Sequence, residues 1–302
     1  MGLFDYMLSL DDFLPVTLES KPLFDAHFQK YPPVHSDYVF TTMAAWHEYA
    51  HYEYAFVDDS LVLKTTVDDM VQFRPPIGSM DKSLFSRVLE LAASQEGAVP
   101  LSMVTDDVKA WIEAQFDQFS FVPILNYADY VYRSSDLSSL RGSEYRKIRN
   151  RLNKFVKNVS FETEQITEDI ISEVRQFLKR WCIWRDCEDD PILKYEKKAV
   201  IFSANHFCEL ELSGMAIRID GRIEAVSVYE PMNHSMIVVH FEKGSPDFDG
   251  IYKCINQELA KTVEDRFPFI NRESDMGNPG LRKAKQSYRP DHMLSVYEIK
   301  RK

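Results

Sequence analysis

The carboxyl-terminal stretch, residues 267–302, constrains the fold of this chain more than any other part of its sequence. Five kinds of segment follow one another there: an apolar run (267–270), a polar stretch (271–275), a cluster of helix breakers (276–280), a basic segment (281–288) and an alternating run (293–299). This order predicts a strand, a charged loop, a short helix and a final strand. Asn278 can cap the helix, and Pro279 suits its first position because it has no amide hydrogen that would need an acceptor.

The predicted helix has an apolar face and a basic face. Leu281, Ala284 and Tyr288 share one side at helical spacing, which we expect to point inward. The cations then lie toward solvent or a cleft: Arg282, Lys283, Lys285 and Arg289. Because a helix N-terminus itself favours anions, the pattern predicts an anion-binding site, with the acids Glu273 and Asp275 just before it. A solvated helix with paired charges is the alternative.

A second basic segment spans residues 141–157. It holds seven cations against a single acid, Glu144. Ser143 can cap a helix here, and one face of that helix carries Arg146, Arg149 and Asn153. In a chain with a formal net charge of −11, this excess of one sign favours contact with a polyanion. A solvated helix face is again the alternative.

Both segments resemble one family. Residues 271–277, 280–285 and 288–290 (NRESDMG, GLRKAK, YRP) carry its first signature, and residues 140–142 with 149–155 (LRG, RNRLNKF) carry the second. The family is that of the soluble relatives of the phosphatidylglycerol lysyltransferase C-terminal domain, which is similar to the Fem peptidyltransferases. The resemblance implies an α/β fold of two tandem GNAT-like (acyl-CoA N-acyltransferase) domains, each a mixed, mostly antiparallel sheet flanked by helices.

The resemblance also implies roles for individual residues. Lys285 matches the lysine that stands before the final strand in the lysyltransferase and Fem enzymes, which places a cation near the developing oxyanion. Glu273 and Asp275 would orient the acceptor or the cations. The expected substrate contacts are Arg282, Arg272, Asn271, Tyr288, Arg146, Arg149 and Asn153. The implied donor is aminoacyl-tRNA.

Length and composition describe a globular protein with two domains. The 302 residues suit two domains of ordinary size, and we predict a division into residues 1–135 and 136–302, with the active cleft in the second. The repeated element order, including a hairpin at Asp220-Gly221, supports this division. No run is long enough to span a membrane, and the first residues lack a secretory signal, so we expect a cytoplasmic location. Four scattered cysteines without paired spacing predict reduced, buried thiols.

The loop at residues 244–250 (GSPDFDG) differs from the coenzyme A loop of GNAT enzymes. It lacks the R/Q-x-x-G-x-G/A pattern, its proline removes an amide donor, and its two acids, Asp247 and Asp249, would repel a pyrophosphate. We therefore expect no coenzyme A in the second domain, and no other cofactor.

Two histidine patterns suggest other chemistry. His47, Glu48 and His51 match H-E-x-x-H, the zinc peptidase motif, but strand-like residues begin at Tyr52, so coincidence is favoured. His240 and Glu242 alternate with apolar residues, so we expect them on one strand face. Either could then serve as a base in the cleft, and a half-solvated strand face is the alternative.

The sequence predicts an aminoacyltransferase. The donor would be aminoacyl-tRNA or another polyanion. The acceptor would be an amine or hydroxyl of a small molecule, a lipid headgroup or a peptide. The alternative from a different class is a non-catalytic anion- or RNA-binding protein that keeps the fold. A zinc peptidase comes third. The residues alone do not identify the donor, the acceptor, the general base or the oligomeric state.

Overall fold

A computed structural model describes residues 8–95, 101–184 and 191–302 of the chain. The chain forms two compact units, Met1–Tyr127 with Leu294–Lys302, and Ala128–Met293. These units depart from the predicted division at residue 135 in two places. The strand at residues 129–133 pairs within the second unit, and the last strand of the chain pairs within the first.

The described residues of the first unit form two sheets. Its helices and strands are β1 (Leu14–Pro15), α1 (Lys21–Lys30), α2 (Phe40–Ala45), α3 (His47–Ala50), β2 (Glu53–Val57), β3 (Ser60–Val67), β4 (Met70–Phe73), β5 (Ile77–Gly78), α4 (Lys82–Ala93), β6 (Val104–Thr105), α5 (Asp106–Gln115) and β7 (Phe119–Pro123). One sheet has the order β1-β2-β3-β4, with β5 also paired to β3. In the other sheet the last strand of the chain lies between β6 and β7. A buried cluster that includes Phe73, Phe85 and Ile112 forms the core of this unit.

In the second unit, the strands among the described residues form a seven-stranded sheet. Its elements are β8 (Asp129–Arg133), α6 (Ser134–Ser139), α7 (Arg146–Asn158), β9 (Glu162–Gln165), α8 (Ile171–Trp184), α9 (Pro191–Asn205), β10 (Ser213–Ile219), β11 (Arg222–Asn233), β12 (Met236–Gly244), α10 (Ile251–Val263), β13 (Phe269–Asn271), α11 (Pro279–Ser287) and β14 (His292–Leu294), and the chain ends with β15 (Val296–Arg301) of the first unit. The strand order is β14-β8-β13-β12-β11-β10-β9. The predicted hairpin is confirmed, with Asp220 and Gly221 both at positive φ in the turn between β10 and β11.

The parallel neighbours β12 and β13 separate toward their carboxyl ends. Their pairing stops at Val238 and Asn271, whereas β12 continues to Gly244. The chain after Asn271 leaves the sheet and forms the loop of residues 272–278, which we call the charged loop. Open α/β sheets bind ligands at the carboxyl ends of such strands, so we expect a ligand-binding site where β12 and β13 separate.

A β-bulge lies at the point of separation. On β11, Val228 pairs with Phe241 while the next residue, Tyr229, pairs with Val239, so His240 is an extra residue on β12. One extra residue breaks the alternation of side chains along a strand. The expectation that His240 and Glu242 share a strand face is therefore wrong, and the two side chains contact different neighbours.

Helix α11 begins as predicted but faces the core differently. The Asn278 side chain accepts hydrogen bonds from the amides of Gly280 and Leu281, and Pro279 is the first helical residue. The predicted inward face of Leu281 and Ala284 is wrong, because both are exposed while Lys285 and Tyr288 are buried. Lys285 can be buried because the charged loop supplies hydrogen-bond acceptors for its ammonium group. The apolar periodicity of the helix does not predict these acceptors.

Three of the four cysteines lie among the described residues. Cys182 and Cys254 are buried, as expected, but Cys208 is exposed, and Cys187 lies outside the described residues. Within the described parts of the chain, no helix has the length and apolar character needed to cross a membrane.

Candidate active site

The charged loop is anchored where β13 ends. The Asn271 side chain is fully buried, donates to the Asp129 carboxylate at 2.8 Å and accepts from the amide of Glu273 at 2.7 Å. Two non-glycine residues of the loop, Glu273 and Met276, have left-handed backbones (φ 55° and 49°). Such residues each cost on the order of 1–3 kcal/mol, so surrounding contacts must hold the loop in place. Asn271, a predicted substrate contact, is one of these holding residues in the structure.

Lys285 provides the second anchor. Its ammonium group donates to the main-chain carbonyl oxygens of Arg272, of Glu273 at 3.0 Å and of Ser274 at 2.6 Å. A lysine ammonium has three donors, and all three are engaged here. Burial lowers the pKa of Lys285 to about 8, although the negative charge of Glu273 acts in the opposite direction and favours the protonated lysine. The side chain predicted to face a cleft thus lies beneath the charged loop and holds three successive carbonyl groups.

Asp275 joins the charged loop to α11 and β8. Arg282 donates to its two carboxylate oxygens at 2.8 and 2.9 Å, Tyr130 donates at 2.6 Å, and the Gly277 amide at 2.8 Å. Burial alone would raise the pKa of Asp275, but the hydrogen bonds from Arg282 and Tyr130 outweigh it and hold the pKa below its usual value. The same burial, together with Asp275, raises the pKa of Tyr130 to about 12. Asp275 is therefore a fixed carboxylate that orients Arg282.

His240 lies between two carboxylates. Its Nε2 donates to Glu230 at 2.8 Å and its Nδ1 donates to Glu273 at 3.2 Å. Burial by itself would lower the pKa of His240, because it disfavours the protonated ring. The two hydrogen bonds outweigh burial and raise the pKa to about 9. The ring is a cation at neutral pH, so it cannot act as a base there. It orients the Glu273 side chain, which remains 25% exposed.

A second charged cluster lies on the other side of β12. Arg272 donates to Glu242 at 3.1 Å, and Asn256 of α10 donates to the other carboxylate oxygen at 3.0 Å. The Arg272 guanidinium also lies 5.0 Å from the ring centroid of Tyr288 and 5.7 Å from that of Tyr132. The consecutive residues Arg272 and Glu273 therefore contact different sides of the same strand, one bound to Glu242 and one to His240.

Two buried polar atoms near Glu242 have no hydrogen-bond partner among the described residues. They are Asn256 Oδ1 and Ser227 Oγ, and Ser227 is the cross-strand neighbour of Glu242. A buried polar atom left unpaired costs about 1–3 kcal/mol. The Glu242 cluster thus has hydrogen-bonding capacity that the described protein groups do not use.

A side-chain hydrogen bond joins the start of the basic helix α7 to the end of α11. Tyr145, at the start of α7, donates from its hydroxyl to the carbonyl oxygen of Tyr288 at 3.1 Å. Arg149 donates to the carbonyl oxygens of Leu140 and Gly142, so its guanidinium stabilises the turn before the helix. Arg146 and Asn153 are exposed. That Arg146 and Arg149 share an anion site with Arg282 and Lys285 stays a prediction.

The structure brings together most of the residues predicted from the terminal motif: Asn271, Arg272, Glu273, Asp275, Arg282, Lys285 and Tyr288. Sequence reasoning missed Tyr130, Glu230, Asn256 and also Lys253 of α10, whose ammonium group lies 4.7 Å from the ring centroid of Tyr288. Only Asn256 carried a signal, because it occupies an apolar position of α10 beside Ile255 and Leu259. The other three come from distant segments whose contacts depend on the sheet.

The H-E-x-x-H pattern lacks the geometry of a zinc site. Helix α3 has only four residues, and His51 follows it with a left-handed backbone (φ 42°). His47 Nδ1 lies 2.8 Å from the carbonyl oxygen of Ala44. Two histidines one turn apart must both stand on one helix to bind a metal together, and His51 does not.

Solved structures and a curated relative resemble this chain. A conserved protein of unknown function from Bacteroides thetaiotaomicron is 31% identical, with a TM-score of 0.87 over 96% of this chain and 99% of that one. L-PGS from Bacillus licheniformis is 15% identical, with a TM-score of 0.61 over 93% and 91%. An uncharacterized protein of Mycoplasmoides gallisepticum is 22% identical over 198 residues, which are 63% of this chain and 61% of that protein. The match thus spans less than two thirds of the curated relative.

The fold prediction is confirmed by these likenesses. The chain has mixed, mostly antiparallel sheets flanked by helices in the tandem GNAT-like arrangement, and FemX shares this fold with a TM-score of 0.56 over 94% of this chain and 96% of that one, at 11% identity. The model of the family described as phosphatidylglycerol lysyltransferase, C-terminal, matches residues 28–300. This chain therefore belongs to the family of the phosphatidylglycerol lysyltransferase C-terminal domain.

Proposed function

We propose that this protein transfers an aminoacyl group from aminoacyl-tRNA to an amine or hydroxyl acceptor, with the reaction at the charged loop. Membership in the lysyltransferase family supports the reaction class. The observation that carries the proposal is the Glu273 carboxylate, which contacts the His240 cation at 3.2 Å and is still partly exposed just after β13 ends, beside the middle of β12.

Glu273 supplies the proton acceptor that such a transfer requires. The acceptor nitrogen or oxygen attacks the ester carbon of the aminoacyl group, the bond to the ribose oxygen breaks, and the acceptor proton passes through Glu273 to that leaving oxygen. A positioned carboxylate contributes about 10²–10⁴-fold to a step of this kind. The acceptor classes that fit are a small molecule, a lipid headgroup or a peptide amine.

Asp275 and Lys285 position this machinery. Asp275 holds Arg282 with two hydrogen bonds, and Arg282 remains 38% exposed for contact with an anionic donor. The Lys285 donors are all engaged by carbonyl oxygens, so we assign it the alignment of the charged loop. It could meet a developing oxyanion only after one of these bonds opened.

The test is an aminoacyl-transfer assay. The protein is incubated with tRNA charged with a mixture of radioactive amino acids, together with phosphatidylglycerol vesicles, simple amines or peptides. We expect label to leave the tRNA faster than in buffer and to appear in one acceptor class. If tRNA binds with a steep salt dependence but its ester is no less stable than without protein, the non-catalytic RNA-binding function replaces this proposal.

Coenzyme A is not expected to bind in the second unit. Two amides in and beside the loop at residues 244–250 are already used, since the Ser245 amide donates to the Glu224 carbonyl oxygen at 2.8 Å and the Ile251 amide donates to the Phe248 carbonyl oxygen at 3.1 Å. Asp249, just before α10, pairs with Arg151 of α7, so the cation beside the start of this helix already has a carboxylate partner. Calorimetry with acetyl-coenzyme A should show no saturable heat at micromolar concentrations. Tight, saturable binding would instead point to acetyl transfer and contradict the aminoacyl proposal.

A further inference from the structure

A partly buried cation, Lys253, is the third residue of α10. Among the described residues, no acid or carbonyl oxygen is within ion-pair or hydrogen-bond distance of its ammonium group. The group lies 4.7 Å from the ring centroid of Tyr288. The guanidinium of Arg272 lies 5.0 Å from the same centroid. Two cations therefore share one aromatic ring.

The charges around Lys253 do not balance. Arg272 of the charged loop repels it, while Glu242 of β12 attracts it but already accepts hydrogen bonds from Arg272 and Asn256. Arg151 of α7 adds a further repulsion, although it is itself paired with Asp249.

A cation–π contact contributes only about 0.5–1 kcal/mol at exposed sites, which does not offset the partial burial of an ammonium group. Burial, with the repulsion from Arg272, lowers the pKa of Lys253 to about 8.

We propose that Lys253, resting on the Tyr288 ring, binds a phosphate ester group, with Arg272 adding positive potential. A lysine ammonium recognises phosphate as a point charge, and an arriving anion would replace the hydration that burial removes. The site deepens the proposed function, because the phosphate would belong to the donor or to the acceptor. Binding of the phosphate group does not require transfer to occur, so the two ideas fail separately.

The direct test is isothermal titration calorimetry with two ligands, the monoester methyl phosphate and the diester dimethyl phosphate. We expect millimolar binding to the wild-type protein and at least a tenfold loss in Lys253→Met, which keeps the length and apolar stem of the side chain. The matched control is Lys261→Met on the same helix, because Lys261 is about half exposed and pairs with Glu258. Lys253→Arg should retain binding.

The two esters distinguish the source of the phosphate. Binding of the monoester alone assigns the site to a phosphorylated small acceptor, and binding of the diester as well assigns it to a phosphodiester. Competition with uncharged tRNA or with phosphatidylglycerol vesicles then shows whether that diester belongs to the donor or to a lipid acceptor. The proposal would be overturned if the Lys253→Met variant bound methyl phosphate as tightly as the wild type. It would also be overturned if the wild-type protein bound neither ester.

A pH series provides a second readout. Sulfate is the probe, because its charge is constant from pH 6 to 10. Binding requires the cationic lysine, so with a Lys253 pKa of about 8 the affinity should fall by about thirtyfold between pH 7 and pH 9.5 as Lys253 loses its proton. Sulfate should in turn raise the pKa of Lys253, which the ¹³C resonance of its reductively methylated amine reports. An affinity unchanged across this range would show that Lys253 does not hold the anion.

Discussion

Lys285→Met is expected to unfold the charged loop and to lower the free energy of unfolding of the second unit by about 4 kcal/mol. The change removes the only cation that binds the carbonyl oxygens of Arg272, Glu273 and Ser274 in the part of the chain that the structure describes. The carbonyl oxygens of Arg272 and Ser274 then lie unpaired against an apolar side chain, and each unpaired buried acceptor costs about 1–3 kcal/mol. The carbonyl oxygen of Glu273 keeps its hydrogen bond from the Tyr130 amide at 3.2 Å. Thermal unfolding and hydrogen exchange of residues 269–288 measure the effect.

The control for this prediction is Lys283→Met on the same helix. Lys283 is exposed, so its replacement should leave the unfolding midpoint and the exchange rates close to those of the wild type. Similar exchange rates for residues 272–278 in both variants would contradict the anchoring role of Lys285. The proposed reaction gives a separate readout, since a displaced Glu273 should lower the transfer rate in Lys285→Met even at temperatures where the protein stays folded.

Glu273→Gln is expected to lower the turnover of aminoacyl transfer by about 10²–10⁴-fold. The amide keeps the size of the side chain and can still contact His240, but it cannot accept the proton of the acceptor. The dissociation constant for tRNA should stay within about twofold of the wild-type value, because a change confined to the transition state lowers kcat and kcat/KM together. Single-turnover transfer and filter binding measure the two quantities.

Glu168→Gln is the matched control, because Glu168 is an exposed residue of the second unit. Its turnover should equal that of the wild type. A Glu273→Gln variant with full turnover would remove Glu273 from the mechanism, and equal losses in both variants would show a general effect of the lost charge. Weaker tRNA binding with unchanged turnover would make Glu273 a binding residue.

Local chemistry in the sequence was enough for several parts of this protein. Asn278 and Pro279 determined where α11 begins, since a capping side chain and a residue without an amide hydrogen act within one turn. The positive-φ pair Asp220-Gly221 determined a hairpin for the same reason. The terminal motif and the basic segment were sufficient to recognise the family, and with it the tandem GNAT-like fold.

Other features depended on contacts between distant segments. The direction of Lys285 was decided by the carbonyl oxygens of the charged loop, and the faces of His240 and Glu242 by the register of β11 against β12. Lys253 and Asn256 gained their significance from Arg272 and Glu242, which come from other elements.

Hydrophobic periodicity records which side chains avoid water, but it contains no information on which polar groups will be buried together. Capping and turn formation act over a few residues and can be read along the chain. Pairing of strands and satisfaction of buried charges act across it, and only the tertiary structure decides them.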